Sequence, residues 1–266
     1  MVDQTIKSSW GILVLDQNRI RNRDKDFIDL EDQNHGNGIE ILSPQDASEK
    51  GYLTHDGLPF SSGAIYIKSP LSSSVFCLPE VVSTFFPTQQ YNKLQTLMNS
   101  LGAKHFKTIL VTANEEHKTN TFKMGINATI EGVSGEARLG LDKNELATIG
   151  SWLNTEIQGP GLTSKQLNNS NQRNEINILL SEIAAIPDAT IFSDFAKTRL
   201  GANPPSLIKR QLNFTSSHST ITKFVTGLKV PGVFGIDTNS LAKTIKSTSF
   251  SITLEVEFPK EPPMSG

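Results

Sequence analysis

The sequence contains very little cysteine. Cys77, within SSSVFCLPEVV, is the single cysteine among 266 residues, so the chain has no internal disulfide framework of the kind that stabilises small secreted proteins. A lone cysteine among apolar neighbours is more typical of a small buried side chain than of a nucleophile. We therefore expect Cys77 to be buried, and we assign it no catalytic role.

Long hydrophobic runs are also missing. No window approaches 18 consecutive apolar residues, so we predict no transmembrane helix. The N-terminal stretch MVDQTIKSSWGILVLDQN lacks a basic region followed by a long apolar one, and Val2 stands where N-myristoylation requires glycine. These features predict a soluble, cytoplasmic protein, and we expect any membrane association to accompany its active state.

Neither sign of charge is in large excess. The chain has 25 Lys and Arg against 27 Asp and Glu, a net charge of −2. A general nucleic-acid binder would carry a basic domain or stripe, so we expect no general nucleic-acid binding. Arg19, Arg21 and Arg23 form one local basic cluster. The acidic run DKDFIDLED, residues 24–32, lacks EF-hand spacing and is more typical of a solvated surface than of a Ca²⁺ site.

Motifs that carry chemistry are missing as well. The sequence has no HExxH, CxxC, GxGxxG, phosphate-loop or GxSxG pattern. No two of the five histidines lie four residues apart, and they are His35, His55, His105, His117 and His218. We therefore name no catalytic, cofactor-binding or metal-ligating residue and expect no cofactor. A Cys–His pair between Cys77 and His55 has no support from the spacing.

Local patterns predict both strands and helices. Apolar content of 36% is enough for a sizeable core. Strands are predicted for WGILVL, GIEILS, AIYIK and HFKTILVTA, which are short, β-branched or aromatic runs bounded by turn residues. A helix is predicted after Pro87, with Thr88 as its N-cap and Gly102 just beyond its end. Its apolar face is expected to comprise Tyr91, Leu94, Leu97, Met98 and Leu101. Three further helices are predicted for KNELATIGSWLNTEIQ, RNEINILLSEIAAI and ATIFSDFAKTRL. The apolar side of the first is expected to comprise Leu146, Ile149, Trp152, Leu153 and Ile157.

The most regular alternation lies in TFKMGINATI, residues 121–130. Apolar residues occupy every second position, namely Phe122, Met124, Ile126, Ala128 and Ile130. After Glu131 and Gly132 the phase of the alternation flips, through Leu141. A one-residue flip across a glycine indicates a turn or a bulge, so the pattern predicts an antiparallel hairpin with its reversal at Glu131–Gly132.

Two Ser/Thr-rich segments near the end of the chain continue this pattern. Residues 209–230 include Phe224 and Leu228, and residues 241–258 end in FSITLEVEF. In the latter, Ser251, Thr253, Glu255 and Glu257 alternate with five apolar residues, Phe250, Ile252, Leu254, Val256 and Phe258. The alternation predicts that the apolar set faces either the core or lipid, and that the four polar residues, Ser251 included, face water in the soluble form. Thr and Ser on the exposed face of an ordinary antiparallel sheet give the same pattern.

The predicted fold class is α+β, with a mainly antiparallel sheet, long hairpins and a helical insertion between them. We expect one compact domain over residues 1–266, in which residues 1–104 pack on residues 105–258 and residues 259–266 form a flexible tail.

The order hairpin, helical insertion, hairpin over residues 105–258 resembles that of pore-forming proteins of the gasdermin and perforin-like kind. The resemblance implies a bacterial defence effector that oligomerises and extends hairpins into a membrane. The lipidated N-terminal cysteines of bacterial gasdermins have no counterpart, since Cys77 is the only cysteine. The alternative hypothesis is a non-enzymatic scaffold or assembly subunit with a homo-oligomeric or protein partner. A third is an enzyme of unrecognised type, which the sequence favours less.

Overall fold

The computed structural model describes residues 11–22, 39–115, 118–124, 130–131, 143–184, 190–215 and 248–260. These residues fall into two compact units, the first ending at Phe85 and the second beginning at Phe86. Each unit has its own sheet, and helices accompany both, which confirms the α+β class. The organisation as a single compact domain stays a prediction, and residues 261–266 lie outside the described part of the chain.

The first unit is built on a five-stranded sheet. Its strands are β1 (Gly11–Val14), β2 (Ile39–Leu42), β3 (Leu53–Thr54), β4 (Ala64–Lys68) and β5 (Val75–Cys77). They lie in the order β2-β1-β4-β5-β3, with parallel pairing at both edges and antiparallel pairing in the middle. The strands predicted from WGILVL, GIEILS and AIYIK are confirmed.

Two short helices, α1 (Gln17–Asn22) and α2 (Pro44–Glu49), follow β1 and β2. Helix α2 starts at a capping box, in which Ser43 and Asp46 each accept a hydrogen bond from the backbone N–H of the other. One side of the sheet packs into a cluster of buried residues, Ile12, Val14, Leu42, Ala47, Phe60, Tyr66 and Phe76. Arg19 and Arg21 lie in α1, and Arg23 and the acidic run 24–32 lie outside the described residues.

The remaining helices begin with α3, which runs from Val82 to Ser100. It is followed by α4 (Lys143–Leu153), α5 (Ser164–Leu167), α6 (Ser170–Ile183) and α7 (Thr190–Leu200). The prediction that Thr88 caps α3 is wrong, because the helix already starts at Val82 and continues through Pro87. Val82 and Phe86, which precede the predicted cap, are both buried. Among the described helices, none combines the length and apolarity that crossing a membrane requires.

The end of α4 also differs from the prediction. The helix stops at Leu153, and the residues expected to continue it form the short strand β9 (Glu156–Gln158). Strand β9 pairs with the first residues of strand β6 (His105–Glu115), so hydrogen bonding to a strand replaces the last helical turn. Ile157 is therefore paired with Phe106 and does not lie on the apolar face of a helix.

The second unit holds a six-stranded antiparallel sheet. Beside β9, its strands are β6 (His105–Glu115), β7 (Lys118–Met124), β8 (Ile130–Glu131), β10 (Leu207–Thr215) and β11 (Thr248–Glu257). They lie in the order β10-β11-β6-β7-β8, with β9 joined to β6. Helices α4 to α7 come between β8 and β10 in the chain, and β9 interrupts them.

The hairpin predicted at Glu131–Gly132 is placed wrongly. Met124 in β7 pairs antiparallel with Ile130 in β8, which excludes one continuous strand over residues 121–130. Phe122 and Met124 therefore lie on a different strand from Ile130, although all three share the predicted alternation. Ile126, Ala128 and residues 132–142 lie outside the described part of the chain.

The two Ser/Thr-rich segments contribute neighbouring strands. β10 and β11 pair antiparallel along their length, from Leu207 opposite Glu257 to Thr215 opposite Ser249. The remainder of both segments, which includes Phe224 and Leu228, lies outside the described residues.

Candidate functional site

One face of the large sheet is mainly apolar across β10, β11 and β6. In β11 and just beyond it, Phe250, Ile252, Leu254, Val256 and Phe258 are all buried, as the alternation predicts. The same face takes buried residues from the two flanking strands, Phe106, Val111, Ala113, Ile208, Leu212 and Phe214. We call this set the dry face.

An aromatic cluster covers the dry face, with Trp152 of α4 at its centre. The indole ring lies 5.1 Å from the ring of Phe250, edge-on, and 5.3 Å from that of Tyr91 in α3. Phe214 of β10 lies 6.3 Å from Trp152, and Phe192 of α7 lies 6.2 Å from Phe214. The Trp152 Nε1 atom is buried with no hydrogen-bond partner among the described residues. The site is therefore an apolar packing surface in this state.

This apolar surface includes one buried polar residue of β6, Thr108, which lies beside a bulge in that strand. The register between β11 and β6 shifts at Thr253 and Leu254, so Leu254 pairs with Thr108 and Thr253 with Leu110. Thr108 lies two residues from Phe106 and shares its face, where it is fully buried. The extra residue on β6 then brings Val111 and Ala113 onto the same face. The side chain of Thr108 bonds the Tyr91 hydroxyl at 2.7 Å. Burial raises the pKa of Tyr91, which keeps this hydroxyl neutral.

The opposite face, which we call the polar face, carries hydroxyl, amide and charged groups. Lys107 Nζ lies 2.7 Å from Glu255 Oε1, and this hydrogen bond raises the pKa of Lys107 and lowers that of Glu255. Lys209 is paired with Glu255 on the other side. The row thus alternates in sign across three strands.

A second row of the polar face consists of uncharged groups. Ser251 Oγ donates to Asn213 Oδ1 at 2.8 Å and accepts from Gln211 Nε2. The expectation that Ser251 faces open water is wrong, because the flanking amide side chains cover it to 7% exposure. Thr253, Glu255 and Glu257 are half-buried.

The two ends of the sheet differ. At the end that we call the turn end, Glu115 pairs with Lys118 and with Thr248, and Thr215 pairs with Ser249. Strand β10 therefore ends, and β11 begins, at the same end of the sheet at which β6 is followed by β7. At the opposite base end, His105 and Leu207 both pair with Glu257. His105 Nε2 also lies 2.6 Å from Glu156 Oε1 of β9, which closes the base end with an ion pair when His105 is protonated.

The candidate residues named from the sequence fall into three groups. Phe250, Ile252, Leu254 and Val256 form the centre of the dry face. Phe122, Met124 and Ile130 lie in the strands at one edge of the same sheet. Ile126, Phe224 and Leu228 lie outside the described residues. Sequence reasoning placed Trp152 on the apolar side of a helix but missed its central position, which depends on helix packing. It also missed Thr108 as a buried polar residue, because strand pairing and helix packing decide which face of β6 is covered.

The residues considered for nucleophilic chemistry lie in the first unit. Cys77 is fully buried, and desolvation raises the pKa of its thiol strongly, so it is not primed as a nucleophile. His55 contacts the Phe85 ring at 5.2 Å, and its Nδ1 lies 4.0 Å from Asp56 Oδ1. Within the described ranges, no three His, Cys, Asp or Glu side chains are grouped as a metal site. The enzyme hypothesis stays a hypothesis.

Comparison with known proteins gives no family for this chain: no protein-family model, curated protein or solved structure matches it.

Proposed function

We propose that this protein is a non-enzymatic effector that oligomerises and acts on membranes by extending an amphipathic hairpin from β10 and β11. The observation that carries the proposal is the shared turn end, where Thr248 of β11 pairs with Glu115 beside the β6–β7 reversal. A strand that enters a bilayer needs a neighbour for its backbone hydrogen bonds. Because β11 pairs with β6 up to the turn end, strands that extend from that end have a neighbouring strand to pair with.

The chain between Thr215 and Thr248 is long enough for this task. In the proposed membrane state, residues 216–247 would supply two arms of roughly 15 residues each, about 50 Å when extended at ~3.3 Å per residue. The hydrocarbon core is about 30 Å thick, and a tilted strand crosses it with about 9–11 residues. The segment sets Phe224 and Leu228 among Ser and Thr, which suits a strand with one lipid face and one weakly polar face.

Dye release from vesicles of phosphatidylcholine and phosphatidylglycerol tests the proposal. We expect the purified protein to release the dye and to form ring-shaped oligomers on the vesicles. Release should be lost in Phe224→Asp, because a charge on the lipid face opposes insertion, and retained in Phe224→Leu. Absence of both release and rings with every vesicle composition contradicts the proposal.

Ion selectivity provides a second measurement. Lysine in place of Ser217, Ser247 or Ser249 should shift the reversal potential in planar bilayers towards anion selectivity, because these positions fall on the polar side of the alternation. Ser181→Lys, on the exposed surface of α6, is the matched control and should leave the potential unchanged. An equal shift in both variants contradicts the assignment of faces.

A second candidate function is assembly with a protein partner through strand addition. Strand β10 is at the edge of the sheet, and within the described residues only β11 pairs with it. Leu207 at its start is 54% exposed. Edge strands accept added strands from other chains. Leu207→Lys should then lower the mass seen by light scattering, while Leu53→Lys, an exposed leucine of the first unit, should not. A monomer at all concentrations with no co-purifying protein contradicts this function.

A further inference from the structure

Arg199, in the last turn of α7, is fully buried at the base end of the large sheet. Its Nη2 donates to the Leu162 carbonyl at 2.7 Å, and its Nε donates to the Leu101 carbonyl at 3.3 Å. Its Nη1 lies 3.3 Å from Ser164 Oγ, and its guanidinium carbon lies 4.6 Å from the centre of the Phe258 ring. A buried charge is costly unless its donors are bonded, and here each nitrogen of the guanidinium has an acceptor.

These contacts join four separate parts of the chain. Leu101 directly follows helix α3, Leu162 precedes helix α5, whose first residue is Ser164, and Phe258 follows β11. Arg199 itself comes directly before the segment that leads into β10. The Arg199 side chain therefore connects the end of β11 to the segments around α3 and α5 at the base end, and β10 begins a short distance along the chain, at Leu207.

The backbone around Arg199 is closely packed. Gly102 has φ of +74°, and a Cβ there would lie 2.6 Å from the Leu162 Cβ. A Cβ on Gly159 would lie 2.3 Å from the Ala103 carbonyl oxygen. Hydrogen bonds cross this region from Leu162 N to Gly102 O and from Phe258 N to Ser206 O. The base end thus has little room to rearrange without breaking several contacts together.

We propose that Arg199 is a pin that fixes the base end of the sheet, so that any extension of the β10–β11 pair occurs at the turn end. The part that concerns extension rests on the proposed membrane function. Lysine cannot replace the pin, because its single ammonium group cannot reach two carbonyls and a hydroxyl and also stack on an aromatic ring. The contacts of Arg199 hold the base end of the sheet in place while the hairpin lengthens at the turn end.

Amide hydrogen exchange in solution tests the pin without reference to membranes. In Arg199→Lys, the amides of Gly161, Leu162 and Phe258 should exchange about tenfold faster, while those of Ala113 and Phe250 near the turn end should change by less than about twofold. Arg173→Lys, an exposed arginine of α6, is the matched control and should change neither set. Unchanged exchange at the base end, or equal acceleration at both ends, overturns the proposal. If Arg199→Lys does not fold, the exchange measurement is made on Phe258→Leu, which keeps the apolar bulk and removes the stacking. Faster exchange at the base end alone supports the proposal, and unchanged exchange there or equal acceleration at both ends overturns it.

Exchange on vesicles of phosphatidylcholine and phosphatidylglycerol tests the extension. We expect the wild-type base-end amides to keep their protection within about threefold of the solution value, with changes confined to the turn end. Loss of base-end protection in protein that releases dye overturns the pin. If the wild-type protein releases no dye, the proposed function fails, and the solution exchange of Arg199→Lys still supports or overturns the pin by itself.

Discussion

The hydroxyl groups of Tyr91 and Thr108 lie 2.7 Å apart and join helix α3 to strand β6 inside the apolar core of the second unit. Tyr91→Phe leaves the buried Thr108 hydroxyl without this partner, and we expect a loss of about 1–2 kcal/mol in the free energy of unfolding. Urea denaturation of both proteins measures the difference.

The companion variants are Thr108→Val and the double variant. Because Tyr91 and Thr108 share one hydrogen bond, the double variant should cost less than the two single costs together, by about 1 kcal/mol. Strict additivity would show that the two hydroxyl groups do not interact.

The burial of Leu254 predicts a large effect of truncation. Leu254 is fully buried on the dry face, so Leu254→Ala should cost about 2–5 kcal/mol of unfolding free energy. Thr253→Ala, at the next position on the polar face, should cost less than about 1 kcal/mol. Thermal and urea unfolding measure both. A folded and stable Ile252→Asp variant would show that the assignment of faces is wrong.

Two glycines with the same backbone conformation should respond differently to substitution. Gly57 and Gly102 have φ of +73° and +74°, but a Cβ on Gly57 meets nothing within 4 Å, whereas one on Gly102 lies 2.6 Å from the Leu162 Cβ. Gly57→Ala should cost about 1–2 kcal/mol from the left-handed backbone alone. Gly102→Ala should add about 1–3 kcal/mol for the steric clash. Urea denaturation measures the loss of unfolding free energy in both variants. Equal losses would show that the left-handed backbone accounts for the whole effect and that the steric clash at Gly102 adds nothing.

The Lys107–Glu255 pair predicts a dependence of stability on pH. The hydrogen bond from Lys107 lowers the pKa of Glu255 in the folded state. The pair therefore stabilises the folded protein above the pKa of an unfolded Glu, about 4.3, and this stabilisation is lost as pH falls through the lower pKa of the folded state. Glu255→Gln should therefore be less stable than wild type at pH 7, by no more than about 1 kcal/mol because the pair is partly solvated. The difference should vanish in strong acid. Thermal unfolding between pH 2 and pH 7 measures it, and a difference that grows in acid would contradict this assignment.

Cys77 should be unreactive in the folded protein. Its thiol is fully buried, and desolvation raises its pKa, so both access and thiolate formation are suppressed. We expect Ellman's reagent at pH 8 to label Cys77 of the native protein only as fast as the protein unfolds. In urea, where the protein is unfolded, labelling should be rapid. Fast labelling of the native protein would show that the first unit opens around β5.

Short-range patterns predicted the elements whose conformation depends on neighbouring residues. The β-branched and aromatic run AIYIK forms β4, and the apolar spacing from Tyr91 to Leu101 forms the buried face of α3. Alternation predicted the dry side of β11, because successive side chains of a strand point to opposite faces. The same rule failed at residues 121–130, where the pattern continues although Met124 and Ile130 belong to paired strands.

The sequence by itself determined the α+β class, the burial of Cys77 and the apolar side of residues 250–258, since these follow from local periodicity and composition. Only the tertiary structure decided which strands are neighbours, where β6 bulges and that Arg199 lies buried at the base end. Strand pairing joins residues far apart in the chain, and the cost of burying Arg199 is offset by carbonyl groups of other segments. No local pattern encodes those partners, because each becomes available only when the chain has folded.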